Sequence, residues 1–368
     1  MAKVSSIRLQ NFKAVRDSKI IPFAPLTALI GYNGSGKSSV VEGLETLQNI
    51  VSHGLDAAMQ DWRGFEHIWN RHSLHKARKA NQDIPWPHHT NPMHFNIHGK
   101  IKQGAFVYKM DINMEPSGDH IFIQDERATL GGKVILRRND QALEGKAAID
   151  GELKSFISAW QFLALVPQGM GQPAPQTRTG ERLRLSKNGS NIAEYLLDIR
   201  RRELRVFEGI VETLSYVLDY AQDLQPVITS ELERNVYLQL TEGKVKLPGW
   251  LLSTGTLRFL ALLAVLRHPK PPPLIVIEEL ENGLDPRTIH LIVDEIREVV
   301  ESEASQVIIT THSPYLLDLL DLSHVVLVER IDEQPVFTRP ADEASLQTWR
   351  KKFGPGKLYT MNRLGSRQ

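Results

Sequence analysis

Cysteine is absent from all 368 residues, so disulfide frameworks and thiol chemistry are excluded. An excess of one charge is absent too. The 44 lysines and arginines face 43 acids, and net charge alone gives no general attraction to a polyanion, only local patches. Long apolar runs are missing: nothing reaches the ~18 residues of a membrane span. The most apolar segment, Phe259 to Leu266, is short and gives way to RHPKPPP. The start, MAKVSSIRLQNF, lacks the apolar core of a secretory signal. There is no internal repeat and no sustained heptad. What remains, 41% apolar and 24% charged residues, is a globular composition, and the expected setting is the cytoplasm with no membrane partner.

Two stretches carry chemistry. Residues 26–30, LTALI, read as a buried strand running into GYNGSGKSS, and a helix is expected from Lys37 onward with Val40, Val41, Leu44, Leu47 and Val51 on one face. Gly31 to Ser38 fit G-x-x-x-x-G-K-[ST] between a strand and a helix. Its glycines let backbone N–H groups converge on phosphates at a helix N-terminus. Lys37 is then expected at the β- and γ-phosphates of a nucleoside triphosphate, and the Ser38 hydroxyl on Mg²⁺.

The second stretch is LIVIEELENGL, Leu274 to Leu284, where a buried strand ends on Glu278 and Glu279. Adjacent carboxylates at a core strand tip need a compensating partner. In a parallel sheet carrying a phosphate loop, ligands lie beyond the carboxyl ends of the strands. That places Glu278 to hold the Mg²⁺ shell and Glu279 to orient or deprotonate the attacking water. Ser253, Thr254, Gly255 and Thr256 begin an apolar helix, either as an ordinary Ser/Thr cap or as a second phosphate site. VIITTHSP ends another strand on Thr310, Thr311 and His312.

Between these landmarks, residues 4–12 read as an edge or antiparallel strand. Residues 52–98 read as a loop-rich excursion, and the alternating runs from 94 to 138 as an antiparallel sheet. A helical stretch interrupted at PQGMGQPAPQTRTG is expected from about 150 to 222, then strands at VITSEL and VYLQLTEGKVKLPG. From 250 onward helix and strand alternate, the pattern of a parallel α/β sheet.

In this order the pieces resemble an ABC-type ATPase head of the RecF/SMC branch, and within it the bacterial RecF-like ATPases related to the OLD family but lacking its nuclease domain. The resemblance rests on IRLQNFKAV with LTALIGYNGSGKSS, on LSTGTLRFLALL, on QVIITTHSPYLLD, on LSKNGSNIAEYLLDI at 185–199 and on GPGKLYTMNRLGS. It implies an α/β P-loop NTPase with an antiparallel β subdomain and a helical signature lobe. The expected layout is one head over 1–340: an α/β lobe at 1–150, a helical lobe at 151–250, and signature, acidic strand and switch histidine at 251–340. A helical tail occupies 341–368.

By the same resemblance, Asn33, Gly34, Ser35, Gly36, Lys37, Ser38 and Ser39 hold the nucleotide, joined from a second protomer by Ser253 and Gly255. Asp285 links the two sites, His312 senses the γ-phosphate, and Ser38 and Glu278 serve the metal. The signature departs from its relatives at Thr254, and the acidic pair at Glu278 and Leu280. The glutamine that would complete the site is either Gln124 or Gln168.

The implied activity is ATP hydrolysis by a dimeric switch in a DNA-linked process, phage defence or repair, controlling a separately encoded effector nuclease. The alternative is a stand-alone ATP-dependent DNA clamp of RecF type. Basic clusters at Lys76–Lys79, Arg137–Arg138, Arg200–Arg202 and Arg350–Lys352 read as solvated faces. No nuclease constellation is expected within the chain: His88, His89, His94 and His98 read as surface or packing residues. The Asn139–Asp140 and Glu152–Lys154 pairing is too short a pattern to carry one.

Overall fold

The computed structural model describes residues 2–70, 91–115, 120–138, 146–177, 183–230, 232–343, 346, 349 and 352–365. Lys76–Lys79, His88, His89 and Asn139–Asp140 lie outside the described residues. In chain order the strands are β1 (Lys3–Phe12), β2 (Val15–Asp17), β3 (Ile21–Pro22), β4 (Leu26–Ile30), β5 (Met93–Ile101), β6 (Gly104–Met114), β7 (Ile121–Leu130), β8 (Lys133–Arg138) and β9 (Gln161–Leu163). They continue with β10 (Ala174–Pro175), β11 (Asp223–Ile228), β12 (Asn235–Glu242), β13 (Val245–Pro248), β14 (Leu274–Ile277), β15 (Gln306–Thr311), β16 (Val325–Ile331) and β17 (Gln334–Thr338). The helices that position functional residues are α1 (Lys37–His53), α2 (Gly151–Ser158), α3 (Ile192–Arg202), α4 (Leu204–Val217), α5 (Thr254–Leu266), α6 (Pro286–Glu301) and α7 (Pro355–Thr360).

The chain forms two compact units. The first contains Met1–Trp160, Thr310–Pro314 and Leu320–Gln368; the second contains Gln161–Ile309 and Tyr315–Leu319.

In the first unit, an antiparallel sheet runs in the order β2-β1-β5-β6-β7-β8, with β3 also on β1. The alternation of 94–138 becomes β5 to β8, with Phe95, Ile97, Phe106, Tyr108, Met110 and Ala128 buried on one face. Helix α1 packs its apolar stripe against β1, and the two come so close at Gly43 that a Cβ there would lie 2.7 Å from Leu9 Cδ1. Strand β4 is buried on both faces, as a parallel strand should be. It pairs in parallel with β16, which turns back as antiparallel β17.

In the second unit, β14 is flanked in parallel by β9 and β15. Strand β9 corrects the sequence expectation of an essentially helical stretch from 150 to 222. It is only three residues long, QFL, too short to show a period of two, and its apolar residues are indistinguishable from a helix face. The expected strand at VITSEL lies a little upstream as β11, which with β10, β12 and β13 makes a small antiparallel sheet. The apolar run of α5 is enclosed: Leu257 and every residue from Phe259 to Leu266 is buried. At ~1.5–3 kcal/mol per large apolar side chain removed from water, this helix is a main source of the unit's stability. It therefore holds its own N-terminus, Ser253 to Thr256, in a fixed place.

Candidate active site

The phosphate loop lies wholly in the first unit. Gly34 and Gly36 take left-handed backbones, at φ 76° and 113°, which glycine adopts without steric cost. Gly31 is required by contact: a Cβ there would sit 2.2 Å from the Val328 carbonyl oxygen of β16. These constraints aim the first turn of α1 outward, and no side chain caps it. Its N–H groups and dipole are left to an anion. Lys37 is buried and its ammonium donates to the carbonyls of Gly31 and Tyr32, at 2.6 and 3.0 Å. The Ser35 hydroxyl is buried without a partner, whereas Asn33, Gly34 and Ser38 are exposed and Ser39 is buried inside the helix. An uncapped helix start, a glycine cradle that a Cβ cannot enter and an orphaned hydroxyl fit a bound triphosphate, with Ser38 open to a metal.

Two features near this loop were not read from the sequence. Arg330 of β16 places a guanidinium nitrogen 3.4 Å from the Gly34 carbonyl. Tyr359 of α7 packs its ring against that of Tyr32 with centroids 5.8 Å apart; burial and the neighbouring phenol push its hydroxyl up to about 12. Both depend on pairings between distant segments. His312 follows the end of β15 and is exposed, while the Thr311 hydroxyl accepts from the Ser313 N–H at 3.0 Å.

The acidic pair, the signature at Ser253–Thr256 and the turn Gly283–Pro286, which corresponds to the D-loop of the resemblance, all lie in the second unit. Glu278 follows the last residue of β14, and its N–H donates to the Leu163 carbonyl of β9 at 2.8 Å. Its carboxylate is half-buried, 4.0 Å from the Lys187 ammonium. Glu279 is exposed and takes a left-handed backbone, φ 48°, a conformation costing a non-glycine residue roughly 1–3 kcal/mol. The Asn282 amide donates to its carboxylate, and the Asn282 N–H to its carbonyl at 3.0 Å. Leu280 is fully buried and anchors the turn.

Ser253 is the N-cap of α5: its hydroxyl accepts from the Thr256 N–H at 3.0 Å and pairs with the Thr256 hydroxyl at 2.8 Å. Gly255 is fixed by crowding, since a Cβ there would lie 2.5 Å from the Gly283 carbonyl oxygen. Signature and D-loop of one chain are thus packed backbone to backbone. A cavity of about 290 Å³ opens here, lined by Ser253, Gly255 and Asp285 and backed by Leu214, Val217 and Phe259. Asp285 caps α6, accepting from the N–H groups of Arg287 and Thr288 at 2.9 and 3.1 Å. Bonds from Thr288 hold its carboxyl below the usual range.

Of the two candidate glutamines, Gln168 lies just beyond β9 and is exposed. Gln124 is within β7, where its side-chain carbonyl accepts from the Asn113 amide at 2.8 Å. Sequence reading also gave no role to Arg258, an arginine inside the apolar helix α5. Its neighbours Leu257 and Phe259 to Leu266 were the signal that could have exposed it. Among the described residues no cluster of three or more His, Asp or Glu could by itself hold a metal ion, and no helix is long and apolar enough to cross a membrane.

Comparison with known proteins fits this geometry. Residues 2–92 match the family model described as "AAA ATPase domain", and residues 159–318 match "AAA domain, putative AbiEii toxin, Type IV TA system". The chain is 21% identical to an OLD nuclease of Thermus scotoductus over 96% of its own length and 67% of that protein's. Among solved structures it is similar to an SMC head bound to the C-winged helix domain of ScpA, with TM-score 0.55, 15% identity, and 95% and 99% of the two chains covered. It is also similar to a Pyrococcus furiosus SMC head with an extended coiled coil bound to the C-terminal domain of ScpA, with TM-score 0.52, 14% identity, and 96% and 100% covered.

Proposed function

We propose that the chain is an ABC-type, SMC-like ATPase working as an ATP-driven dimeric switch that controls a separately encoded effector nuclease in phage defence or repair. The observation that carries this reading is the similarity to an OLD nuclease across 96% of the chain. It sets the ATPase beside nuclease chemistry.

In this reading the N–H groups of Asn33 to Ser39 and the Lys37 ammonium bind the phosphates of ATP. Ser38 and, through a water, Glu278 would hold magnesium, which would supply neutralisation of the charge that develops on them. Glu279 positions the attacking water and accepts its proton, a task that needs placement more than basicity. Ser253 and Gly255 of a second copy meet the γ-phosphate, Asp285 links the paired sites and His312 reports occupancy. ATP then joins two chains, and hydrolysis releases them. Support comes from the exposure of Glu279 and from the cavity beside Ser253. Gln168 is the better-placed glutamine, because it follows a strand neighbouring β14.

The test is to purify tagged Glu279→Gln from its native host in Mg-ATP and identify what remains bound. A stoichiometric second protein with nuclease activity supports the reading. Nucleic acid without protein instead supports the stand-alone DNA clamp.

A further inference from the structure

We propose that Arg258 is a positioning residue for hydrolysis: its guanidinium clamps the left-handed backbone of Glu279 and ties it to the signature helix. This rests on the reading of Glu279 as the hydrolytic carboxylate.

Arg258 is 6% exposed and sits within the apolar run of α5. Its guanidinium donates to two backbone carbonyls: Nη1 to Leu165 at 2.8 Å and Nη2 to Glu279 at 3.0 Å. Its Nε is buried with no partner. Burial opposes its charge, offset in part by the Glu279 and Glu281 carboxylates. A buried guanidinium left one bond short is a poor device for stability, since an apolar side chain of similar length fills such a place at no greater cost. Its geometry fits a different task. The planar fork donates to two acceptors at a fixed separation, which a lysine ammonium does not reproduce.

Both acceptors belong to the acidic edge. The Glu279 carbonyl accepts from Arg258 and from the Asn282 N–H, so the fork helps hold a backbone that would relax from its left-handed state. Leu165 lies between two N–H groups tied to another loop: Ala164 donates to the Lys187 carbonyl at 2.8 Å and Val166 to the Asn188 carbonyl at 3.0 Å. That loop is stiffened by Asn191, whose side chain accepts from the Ser186 N–H at 2.8 Å and donates to the Arg184 carbonyl at 2.8 Å. It brings the Lys187 ammonium to Glu278. One guanidinium therefore registers Glu279 directly and the surroundings of Glu278 through Leu165. Because Arg258 lies in the turn after Ser253–Thr256, a displacement of the signature end of α5 is transmitted to Glu279.

The experiment compares wild type, Arg258→Met, Arg258→Lys and Glu279→Gln side by side. It reads kcat, KM, affinity for a fluorescent ATP analogue and thermal midpoint. Loss of a positioning bond at a catalytic carboxylate is expected to lower kcat about 10–100-fold. Arg258→Met should show that loss with nucleotide affinity within about twofold of wild type. Arg258→Lys, which keeps the charge and loses the fork, should fall between the two. Glu279→Gln should lose most of its turnover. Should Arg258→Met not fold, a wild-type kcat in Arg258→Lys overturns the proposal. So does wild-type turnover in Arg258→Met while Glu279→Gln is inactive, and there the reading of Glu279 survives. An Arg258→Met defect confined to the thermal midpoint and nucleotide affinity, with kcat intact at saturation, also overturns it. Wild-type turnover in Glu279→Gln removes the underlying reading, and the clamp with it.

Discussion

The phosphate loop and the acidic edge serve the same substrate in this account, yet they are built in opposite ways. The loop is local. Eight consecutive residues, Gly31 to Ser38, carry its glycine pattern, and Lys37 donates to carbonyls five and six residues away, although β16 approaches closely at Gly31 and Gly34. The acidic edge is assembled. Glu278 leans on Leu163 and Lys187, and Glu279 on Arg258 and Asn282. Chemistry done by backbone N–H groups can be encoded in a short motif. Chemistry done by side chains at a strand tip must borrow its rigidity from distant segments.

Mutation should separate the two. Lys37→Ala removes the buried cation of the loop, and we expect loss of both nucleotide binding and turnover by about 10³-fold or more, read by titration and phosphate release. Glu279→Gln should instead retain ATP affinity and lose ~10²–10³-fold in turnover. Equal affinity losses in the two variants would erase the distinction.

A smaller effect sharpens the claim that α5 supports the edge from behind. Leu260→Ala removes a fully buried side chain and should cost ~2–5 kcal/mol in denaturant unfolding. ATP affinity of the folded fraction should stay unchanged. Gly255→Ala pushes a Cβ to 2.5 Å from the Gly283 carbonyl. Overpacking of this kind typically costs ~1–3 kcal/mol, and turnover should fall with stability because signature and D-loop shift together.

The smallest change is Asp285→Ala, which removes the cap of α6 at about 1 kcal/mol. Its folded pKa is depressed by the Thr288 and Arg287 bonds. The stabilisation is therefore fully present above the ordinary carboxylate range and lost as pH falls through the folded value. Wild type and variant should converge in stability under acid; a gap that widens there would contradict the capping role.

Legibility in the sequence followed the same division. Strand β4, the phosphate loop and α1 were readable because an apolar run, a glycine pattern and a helical stripe follow one another without interruption. The alternation at 94–138 gave the antiparallel strands for the same reason. Strand β9 was hidden because three residues carry no period, and its role comes from lying beside β14, more than a hundred positions later in the chain. Ser253 illustrates a mixed case. Its cap was anticipated, while the crowding that demands Gly255 depends on Gly283 arriving from another turn. Arg258 was visible as an anomaly, a charge inside an apolar helix, but its acceptors at Leu165 and Glu279 could be known only once the chain was folded.

The central claim is that ATP joins two copies of this chain and that hydrolysis parts them. The most direct measurement is the mass of Glu279→Gln in solution by sedimentation, with and without Mg-ATP, beside Glu279→Gln carrying Ser253→Arg. The account expects a dimer with ATP, a monomer without it, and a monomer in both conditions for the Ser253→Arg double variant. A Glu279→Gln protein that binds ATP and keeps one mass throughout would contradict it.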